Sequence, residues 1–248
     1  MFSYLHKPVL AVLLTMLSSF AAADGRRVEL YTVNFPPYTI IEPQNTIRGI
    51  DVEVVTAAFA AVGIEATITE APWKRILKNM EHGRVAGTLS CARNAPREKF
   101  ILFSEPISEN IWGAVTSRDF DSRSLSHLSD VQHYEVIAVA DWGQSQQLSQ
   151  HNLRHSVTPD IDSGIRSVVY RNVDLFYNGK LPTLYHAQNL GLQDKIAFHR
   201  FEDIESTPLH LCLSRLYPDS QTLLEQFNNG LNKIKHSGEF DAIYKKYN

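Results

Sequence analysis

The stretch IEATITEAPWKRILKNMEHGRVAGTLS, residues 64–90, decides the fold class of this chain. Its two ends, 64–69 and 85–90, are short runs of apolar and β-branched residues typical of strands. Between them, Pro72 marks a helix start, where its missing N–H costs nothing, and the apolar residues that follow recur at helical spacing. The order strand, helix, strand predicts a parallel sheet with helices packed on its faces.

The same pattern extends to either side of this stretch. Upstream, a strand at 28–33 stops at Pro36-Pro37, because proline cannot continue a sheet ladder, and a helix follows at 49–62. An extended stretch at 107–117 leads to a second series of elements, and amphipathic helices end the chain. This second series comprises strand 134–140, helix 163–172, strand 173–177, helix 181–189, strand 195–201 and strand 209–215. The sequence thus predicts two α/β units, which bind ligands at the carboxyl ends of their parallel strands.

Residues 1–23 have the features of a secretory signal peptide. A positive charge at Lys7 is followed by an apolar run at 9–20 and by Ala21-Ala22-Ala23. The apolar run, about 12 residues long, is too short to span a bilayer core of ~30 Å. We expect cleavage after Ala23 and a periplasmic product, with an uncleaved anchor or a buried helix as the alternatives.

Composition argues against several classes of protein. The formal net charge of −3 at pH 7 does not favour a nucleic-acid partner. The ten histidines are scattered without metal-ligand spacing, and neither a G-x-G-x-x-G nor a P-loop pattern occurs. We therefore expect no metal and no cofactor. Cys91 and Cys212 either close a disulfide in an oxidising compartment or remain separate buried thiols.

Four segments stand in order along the chain: FPPYTIIEPQNTIRGIDVEVVTAAFAAVGI, APWKRILKNMEHGRVAGTLS, PREKFILFSEPIS and LEQFNNGLNKIKHSGEFDAIYKKY. Together they resemble the periplasmic solute-binding proteins of the polar amino-acid ABC-transporter family, over residues 28–247. The resemblance implies an α/β fold of the two-lobed type II (Venus flytrap) class. Lobe one is expected at 24–109 plus 208–248, lobe two at 114–204, and a two-strand hinge at about 110–113 and 205–207.

The resemblance also implies how such a protein works. It is expected to capture a small carboxylate-bearing solute, an amino acid or a related organic acid, by closing its cleft. It would then act as a monomer that delivers the solute to an inner-membrane ABC permease, without catalytic residues. In the family, the final strand, here 209–215, returns to lobe one, which could bring Cys212 near Cys91.

One arginine matches the family's carboxylate-binding position. This residue lies seven positions before the serine of an FS pair, which makes it Arg97 here, with Ser104 as the landmark. A guanidinium offers two parallel N–H groups that fit a carboxylate. The alternative is a surface arginine paired with Glu98 or Glu105. Arg93 matches no ligand-binding position and is expected to be solvated.

Further cleft contacts are implied in both lobes, with core packing as the alternative for the aromatic residues. In lobe one, polar residues at the end of the third strand can donate to a ligand oxygen and aromatic residues form the wall; these are Thr88, Ser90, Trp73, Phe35 and Tyr38. In lobe two, the start of a helix has free N–H groups that suit a carboxylate, and the implied contacts are Gly143, Gln144, Ser145 and Asn178.

The chain departs from the family at the site of the ligand's α-ammonium group. The aspartate that usually binds it matches Gly179, and an early acidic residue of lysine-type binders matches Thr32. A buried cation without a carboxylate is costly. Either another acid supplies the charge, or the ligand has no α-amino group; the candidate acids are Glu70, Asp141 and Glu42.

Two other functions remain open on the same scaffold. One is a periplasmic enzyme of the cyclohexadienyl or prephenate dehydratase kind, for which the candidate acids and bases are Glu70, Asp141 and His186. The other is a ligand-sensing module that presents its closed form to a membrane receptor.

Overall fold

The computed structural model describes residues 26–140 and 142–247. The expected signal peptide, its cleavage after Ala23 and the candidate Asp141 lie outside these described residues. Within the two ranges, no helix combines the length and the apolar character needed to cross a membrane.

Strands and helices alternate along most of the chain. The first part contains β1 (Arg26–Thr32), β2 (Ile40–Ile41), β3 (Ile47–Arg48), α1 (Ile50–Ala60), β4 (Ile64–Glu70), α2 (Trp73–Glu81), β5 (Gly87–Ala92), α3 (Ala95–Glu98) and β6 (Ile101–Asn110). The middle part contains β7 (Trp112–Ser117), β8 (Val136–Val139), α4 (Gly143–Gln150), β9 (Ser156–Thr158), α5 (Ile161–Tyr170), β10 (Leu175–Gly179), α6 (Lys180–Asn189) and β11 (Ile196–Arg200). The last part contains β12 (Thr207–Ser214), α7 (Ser220–Ser237) and α8 (Glu239–Tyr244).

The strands build two five-stranded sheets, one for each lobe. In lobe one the order is β4-β1-β5-β12-β6, with β1 parallel to β4 and β5 and with β12 returning antiparallel between β5 and β6. In lobe two the order is β11-β7-β10-β8-β9, with β8 parallel to β9 and β10. Each sheet therefore has a parallel part whose carboxyl ends share one edge.

Both sheets are covered by helices, which is why their central strands are apolar on both faces. In lobe one, α1 and α7 pack on one face, where the rings of Phe59 and Phe227 lie 5.0 Å apart, while Ile76 and Met80 of α2 belong to a second cluster. In lobe two, all four residues of β8 are buried, and its two faces belong to separate hydrophobic clusters. The core of each lobe thus lies within that lobe.

The chain crosses between the two sheets twice. Ile111 separates β6 from β7, and residues 201–206 separate β11 from β12. A hydrogen bond holds the crossings side by side, because Trp112 donates from Nε1 to Oγ1 of Thr207 at 2.9 Å. The first crossing is also tied to α6, since the amide of Lys180 donates to the carbonyl of Ile111 at 2.8 Å. The lobe and hinge limits inferred from the sequence stay predictions.

The two cysteines form a disulfide bond in the structure, with Cα atoms 6.1 Å apart. Both side chains are buried, Cys91 on β5 and Cys212 on β12. The bond is geometrically accessible because β12 runs beside β5. It ties the third strand of lobe one to the segment that returns from lobe two.

Removing this bond should destabilise the protein. Its cysteines are 121 positions apart, so the bond restricts a long loop of the unfolded chain. We expect the Cys91→Ala/Cys212→Ala double variant to lose roughly 2–4 kcal/mol of unfolding free energy, measured by urea denaturation. A reductant should lower the wild-type midpoint and leave the double variant unchanged. Equal midpoints for the oxidised wild type and the double variant would contradict the prediction.

Candidate ligand-binding site

The carboxyl ends of three parallel strands define one edge of lobe one. Thr32 at the end of β1 is in register with Glu70 at the end of β4, and Tyr31 is in register with Thr88 of β5. The segments that follow these strands carry the aromatic and polar residues assigned to the cleft. The topology therefore brings Phe35, Trp73, Ser90 and Arg97 to the same edge of the sheet.

Arg97 is half-buried and is held by its surroundings. The short helix α3 begins after Asn94, whose side chain accepts a hydrogen bond from the Arg97 amide at 3.0 Å. The guanidinium donates from Nη1 to the carbonyl of Ala92 at 2.7 Å, and its carbon lies 5.0 Å from the ring centre of Trp73. This contact between a cation and an aromatic face fixes the plane of the guanidinium.

Arg97 has no carboxylate partner in the described part of the chain. Glu98 lies 3.7 Å from Arg93 instead, and Arg93 in turn stacks on Phe103 at 4.8 Å. Burial lowers the pKa of Arg97 from its usual value, although a guanidinium remains charged in proteins. The site thus holds a cation, partly removed from water, whose remaining N–H groups bond to none of the described residues.

Ser90 connects this edge to a buried acid. Its backbone has a positive φ of 53°, and its Oγ donates to Oδ2 of Asp51 at 2.6 Å. Asp51 lies in the first turn of α1 and is fully buried, which raises the pKa of its carboxyl to about 7, although the nearby hydroxyls of Ser90 and Ser108 act in the opposite direction. Among the described residues, Oδ1 of Asp51 and Oγ of Ser108 have no hydrogen-bond partner at normal geometry.

Asp51 was not among the site residues predicted from the sequence. In the sequence, Asp51 is a carboxylate at the second position of an otherwise apolar helix start. A side chain at such a position is usually interpreted as solvated. Its burial follows from packing against β5 and β6, which local sequence does not report.

The aromatic residues divide between the cleft edge and the core. Phe35 and Trp73 are partly exposed. Tyr38, in contrast, is 0 % exposed, its ring packs 5.0 Å from Phe35, and its hydroxyl donates to the carbonyl of Glu109 at 2.8 Å. Tyr38 therefore packs in the core, which was the alternative for the aromatic residues, and its contact with a ligand stays a prediction.

Thr88 is likewise buried. Its side chain is 0 % exposed, within a strand that pairs on both sides with β1 and β12. Its contact with a ligand stays a prediction, and Ser90, two residues further along, is partly exposed.

In lobe two, the start of α4 is the exposed element. Trp142 precedes the helix without a side-chain cap, and Gly143 is exposed at its first position. Gln144 is buried beside a cavity of about 580 Å³ that Trp112 and Thr207 also line, so this helix start adjoins the two crossings. Oγ of Ser145 lies 3.0 Å from Nε2 of His155. The first amides of α4 have no intrahelical acceptor and suit an anion.

The side chain of Asn178 is bonded within lobe two. It is buried, and Nδ2 donates to Oγ1 of Thr183 in α6 at 3.0 Å. Its expected contact with a ligand stays a prediction.

Gly179 ends β10, and its missing side chain is explained by packing. A Cβ atom there would overlap with Oδ1 of Asn110, the last residue of β6. That oxygen is buried without a hydrogen-bond partner. An aspartate therefore does not fit at position 179 unless Asn110 moves. Of the candidate replacements, Glu42 is paired with Arg48 at 2.7 Å, while Glu70 is exposed beside Tyr31 and Arg75.

A matched pair of substitutions tests this packing. We expect Gly179→Ala to lose about 1–3 kcal/mol of unfolding free energy, since the new Cβ overpacks against Asn110. In the Asn110→Gly background, where the clashing side chain is absent, Gly179→Ala should cost much less unfolding free energy than it does in the wild type. Thermal denaturation of the double variant and of the Asn110→Gly single variant measures this difference. Additive losses in the double variant would show that the two residues do not compete for the same space.

A model of the bacterial extracellular solute-binding proteins, family 3, matches residues 30–248 of this chain. The chain belongs to this family. The likeness to periplasmic solute-binding proteins found in the sequence and the type II α/β fold are confirmed. As a family 3 solute-binding protein, the chain binds a solute and is not an enzyme, so the dehydratase alternative is not retained. His186, a candidate acid or base for that activity, has its Nδ1 atom 2.6 Å from Oδ1 of Asp162.

Known relatives are distant in sequence and similar over nearly their full length. The arginine-binding periplasmic protein of Mannheimia haemolytica is 21 % identical over 242 residues, which cover 95 % of this chain and 97 % of the relative. The unliganded, open L-cystine solute receptor of Neisseria gonorrhoeae superposes with a TM-score of 0.75 at 14 % identity, covering 90 % and 93 % of the two chains. A histidine kinase sensor domain similar to periplasmic binding proteins gives a TM-score of 0.69 at 20 % identity, covering 90 % and 97 %. The periplasmic location predicted from the sequence agrees with the arginine-binding relative.

Proposed function

We propose that this family 3 solute-binding protein captures a small carboxylate-bearing solute, an amino acid or a related organic acid, for import by an inner-membrane ABC permease. The observation that carries the proposal is Arg97. Its guanidinium is half-buried at the carboxyl edge of lobe one, it stacks on Trp73 at 5.0 Å, and it has no acidic partner within 4 Å among the described residues. A cation partly removed from water and left without a counter-ion favours an anionic ligand.

Binding proceeds in two steps under this proposal. The ligand's carboxylate first reaches Arg97 on lobe one, where Phe35 and Trp73 provide an apolar wall. Lobe two then closes about the crossings at Ile111 and 201–206, and the free amides at Gly143 and Gln144 meet the ligand from the other side. Closure is favoured only to the extent that the ligand binds the closed form more tightly than the open form.

The relatives narrow the class of ligand to be tested. Named relatives bind arginine or L-cystine, both of which combine a carboxylate with an ammonium group. An aromatic wall next to a guanidinium suits flat or cationic ligand side chains. The sensing role remains the alternative, since the likeness to a sensor domain concerns the fold and does not distinguish a permease from a receptor.

A thermal-shift screen of the chain without its first 23 residues tests the proposal. The probes are the twenty L-amino acids, L-cystine and a set of small carboxylates without an amine. A ligand present at a thousand times its Kd adds about 4 kcal/mol of stability, which corresponds to a rise in Tm on the order of 10 °C. If no probe in either class raises Tm, the proposed function fails. Light scattering tests whether the protein is a monomer. The mass of the secreted protein tests the cleavage after Ala23.

A further inference from the structure

Among the described residues, three buried polar side-chain atoms have no hydrogen-bond partner. They are Oδ1 of Asp51, Oγ of Ser108 and Oδ1 of Asn110. Ser108 and Asn110 are two residues apart on β6, so their side chains share one face of the strand. Buried atoms of this kind are rare in native proteins and call for an explanation.

Asp51 is the charged member of this group, and it reaches the ligand edge through one hydroxyl. Ser90 is partly exposed at the carboxyl end of β5 and donates its proton to Oδ2 of Asp51 at 2.6 Å. A serine hydroxyl has one proton and two lone pairs. While Ser90 donates to Asp51, only its lone pairs are left for a third group, so Ser90 can accept from a ligand but cannot donate to it.

The other groups around Asp51 do not neutralise its charge. Tyr38, from the segment before α1, and Tyr244, from α8, donate to the carbonyls of Glu109 and Ile107 at 2.8 and 3.0 Å. Burial raises the pKa of both phenols, so they remain protonated. Glu109, from β6, adds only negative charge. Within the described residues, no lysine, arginine or histidine lies within 4 Å of the Asp51 carboxylate, so a positive charge is missing from this environment.

We propose that Asp51 is the buried counter-charge for a ligand's ammonium group, which it senses through Ser90. This inference rests on the proposed function and replaces the acid that packing excludes at Gly179. The ammonium donates to the Ser90 hydroxyl, and Ser90 donates to the Asp51 carboxylate. Arg97 holds the carboxylate of the same ligand, so the two charges of an α-amino acid each meet an opposite charge on lobe one.

Under this proposal, ligand binding is coupled to the protonation of Asp51. Asp51 is protonated in part of the free protein near neutral pH, because burial raises the pKa of its carboxyl to about 7. An ammonium group at Ser90 favours the ionised form, so binding releases the Asp51 proton to solvent. Affinity for an amine-bearing ligand should then rise with pH up to about 7 and level off above it. A ligand without the amine gains nothing from ionised Asp51.

Matched probe pairs test this linkage by calorimetry. The pairs are L-arginine with 5-guanidinopentanoate and L-cystine with 3,3′-dithiodipropionate, each amino acid being compared with its analogue lacking the amine. Between pH 6 and pH 8, the amino acid should bind about tenfold more tightly at the higher pH, with proton release seen as a buffer-dependent enthalpy. The analogue should show neither effect. Ser90→Ala should remove the pH dependence for the amino acid.

A ligand-free measurement separates this proposal from the proposed function. Infrared difference spectroscopy follows the C=O band of protonated Asp51 between pH 5 and pH 9, assigned by its loss in Asp51→Asn. Because the Ser90 hydroxyl stabilises the carboxylate, Ser90→Ala should move the midpoint to higher pH. An unmoved midpoint, or amino-acid affinity that stays flat from pH 6 to pH 8, overturns the proposal. If no probe of the thermal-shift screen binds, the proposed function fails, and the spectroscopic midpoint alone decides the link between Asp51 and Ser90.

Discussion

The Arg97→Ala protein is expected to bind the solute at least about a thousandfold more weakly than the wild type, a loss of about 4 kcal/mol. The effect is large because the guanidinium is half-buried, is oriented by Ala92 and Trp73, and meets no acid in the described part of the structure. Removing it leaves the ligand's carboxylate without a counter-charge in a closed cleft. Calorimetry with the strongest ligand from the thermal-shift screen measures the loss.

Two controls separate a specific contact from a general change in charge. Arg93→Ala removes a neighbouring arginine that is already paired with Glu98 at 3.7 Å and stacked on Phe103, so it should change affinity less than threefold or so. Arg97→Lys keeps the charge but loses the fork of two parallel N–H groups, and an intermediate loss is expected. Equal affinities for the wild type and Arg97→Ala would remove the basis of the proposed function.

The Asp51→Asn substitution is expected to change how the unfolding free energy of the protein depends on pH. Asp51 is fully buried, and its pKa is about 7 in the folded chain against an ordinary value of 3.8. Because the folded-state pKa is the higher one, the contribution of Asp51 to stability is fully present below about pH 4 and is lost as pH rises through 7. The Asp51→Asn variant lacks this loss. Relative to the wild type, it should gain about 4 kcal/mol of unfolding free energy between pH 4 and pH 8.

Glu53 provides a control on the same helix with the opposite sign. Hydrogen bonds from Lys246 and Tyr247 outweigh burial and lower the pKa of its carboxyl, so its contribution is present at neutral pH and lost in acid. Glu53→Gln should therefore lose stability relative to the wild type as pH rises from 4 to 8, by a smaller amount. Urea denaturation at both pH values measures all three proteins. A constant difference between Asp51→Asn and the wild type across this range would contradict the assignment of a buried, titrating carboxyl.

The sequence predicted elements well where local pattern and tertiary pairing agree. The strand predicted at 64–69 and the helix beginning at Pro72 correspond to β4 and α2 within about a residue. The next strand, predicted at 85–90, lies instead at Gly87–Ala92. Its limits follow from pairing with β12, where His210 is in register with Cys91, and local periodicity carries no information about that partner.

The first half of β6 could not be predicted from the pattern. Glu105 and Pro106 interrupt the apolar residues of this stretch, and a proline normally argues against a strand. The interruption is tolerated because β6 is the edge strand of its sheet, where an N–H group is not required on the outer side. Position in the sheet, rather than composition, decides this element.

The charged residue of the site could be predicted from the sequence. The residues that line the site could be predicted less well. The position of Arg97 relative to Ser104 identified the candidate cation without any structure. The packing of Tyr38 and Asn178 could not be predicted, because sequence does not show which side chains the core or a neighbouring helix contacts. Asp51 was missed for the same reason, since its burial depends on Ser90 and Ser108 from strands distant in the chain.

A crystal structure of the protein with the tightest ligand of the thermal-shift screen tests the role of Arg97. We expect a ligand between the two lobes, with its carboxylate bound by two parallel N–H groups of Arg97 and its side chain against Trp73. A carboxylate bound elsewhere, with Arg97 left to solvent or to a protein acid, would contradict this expectation.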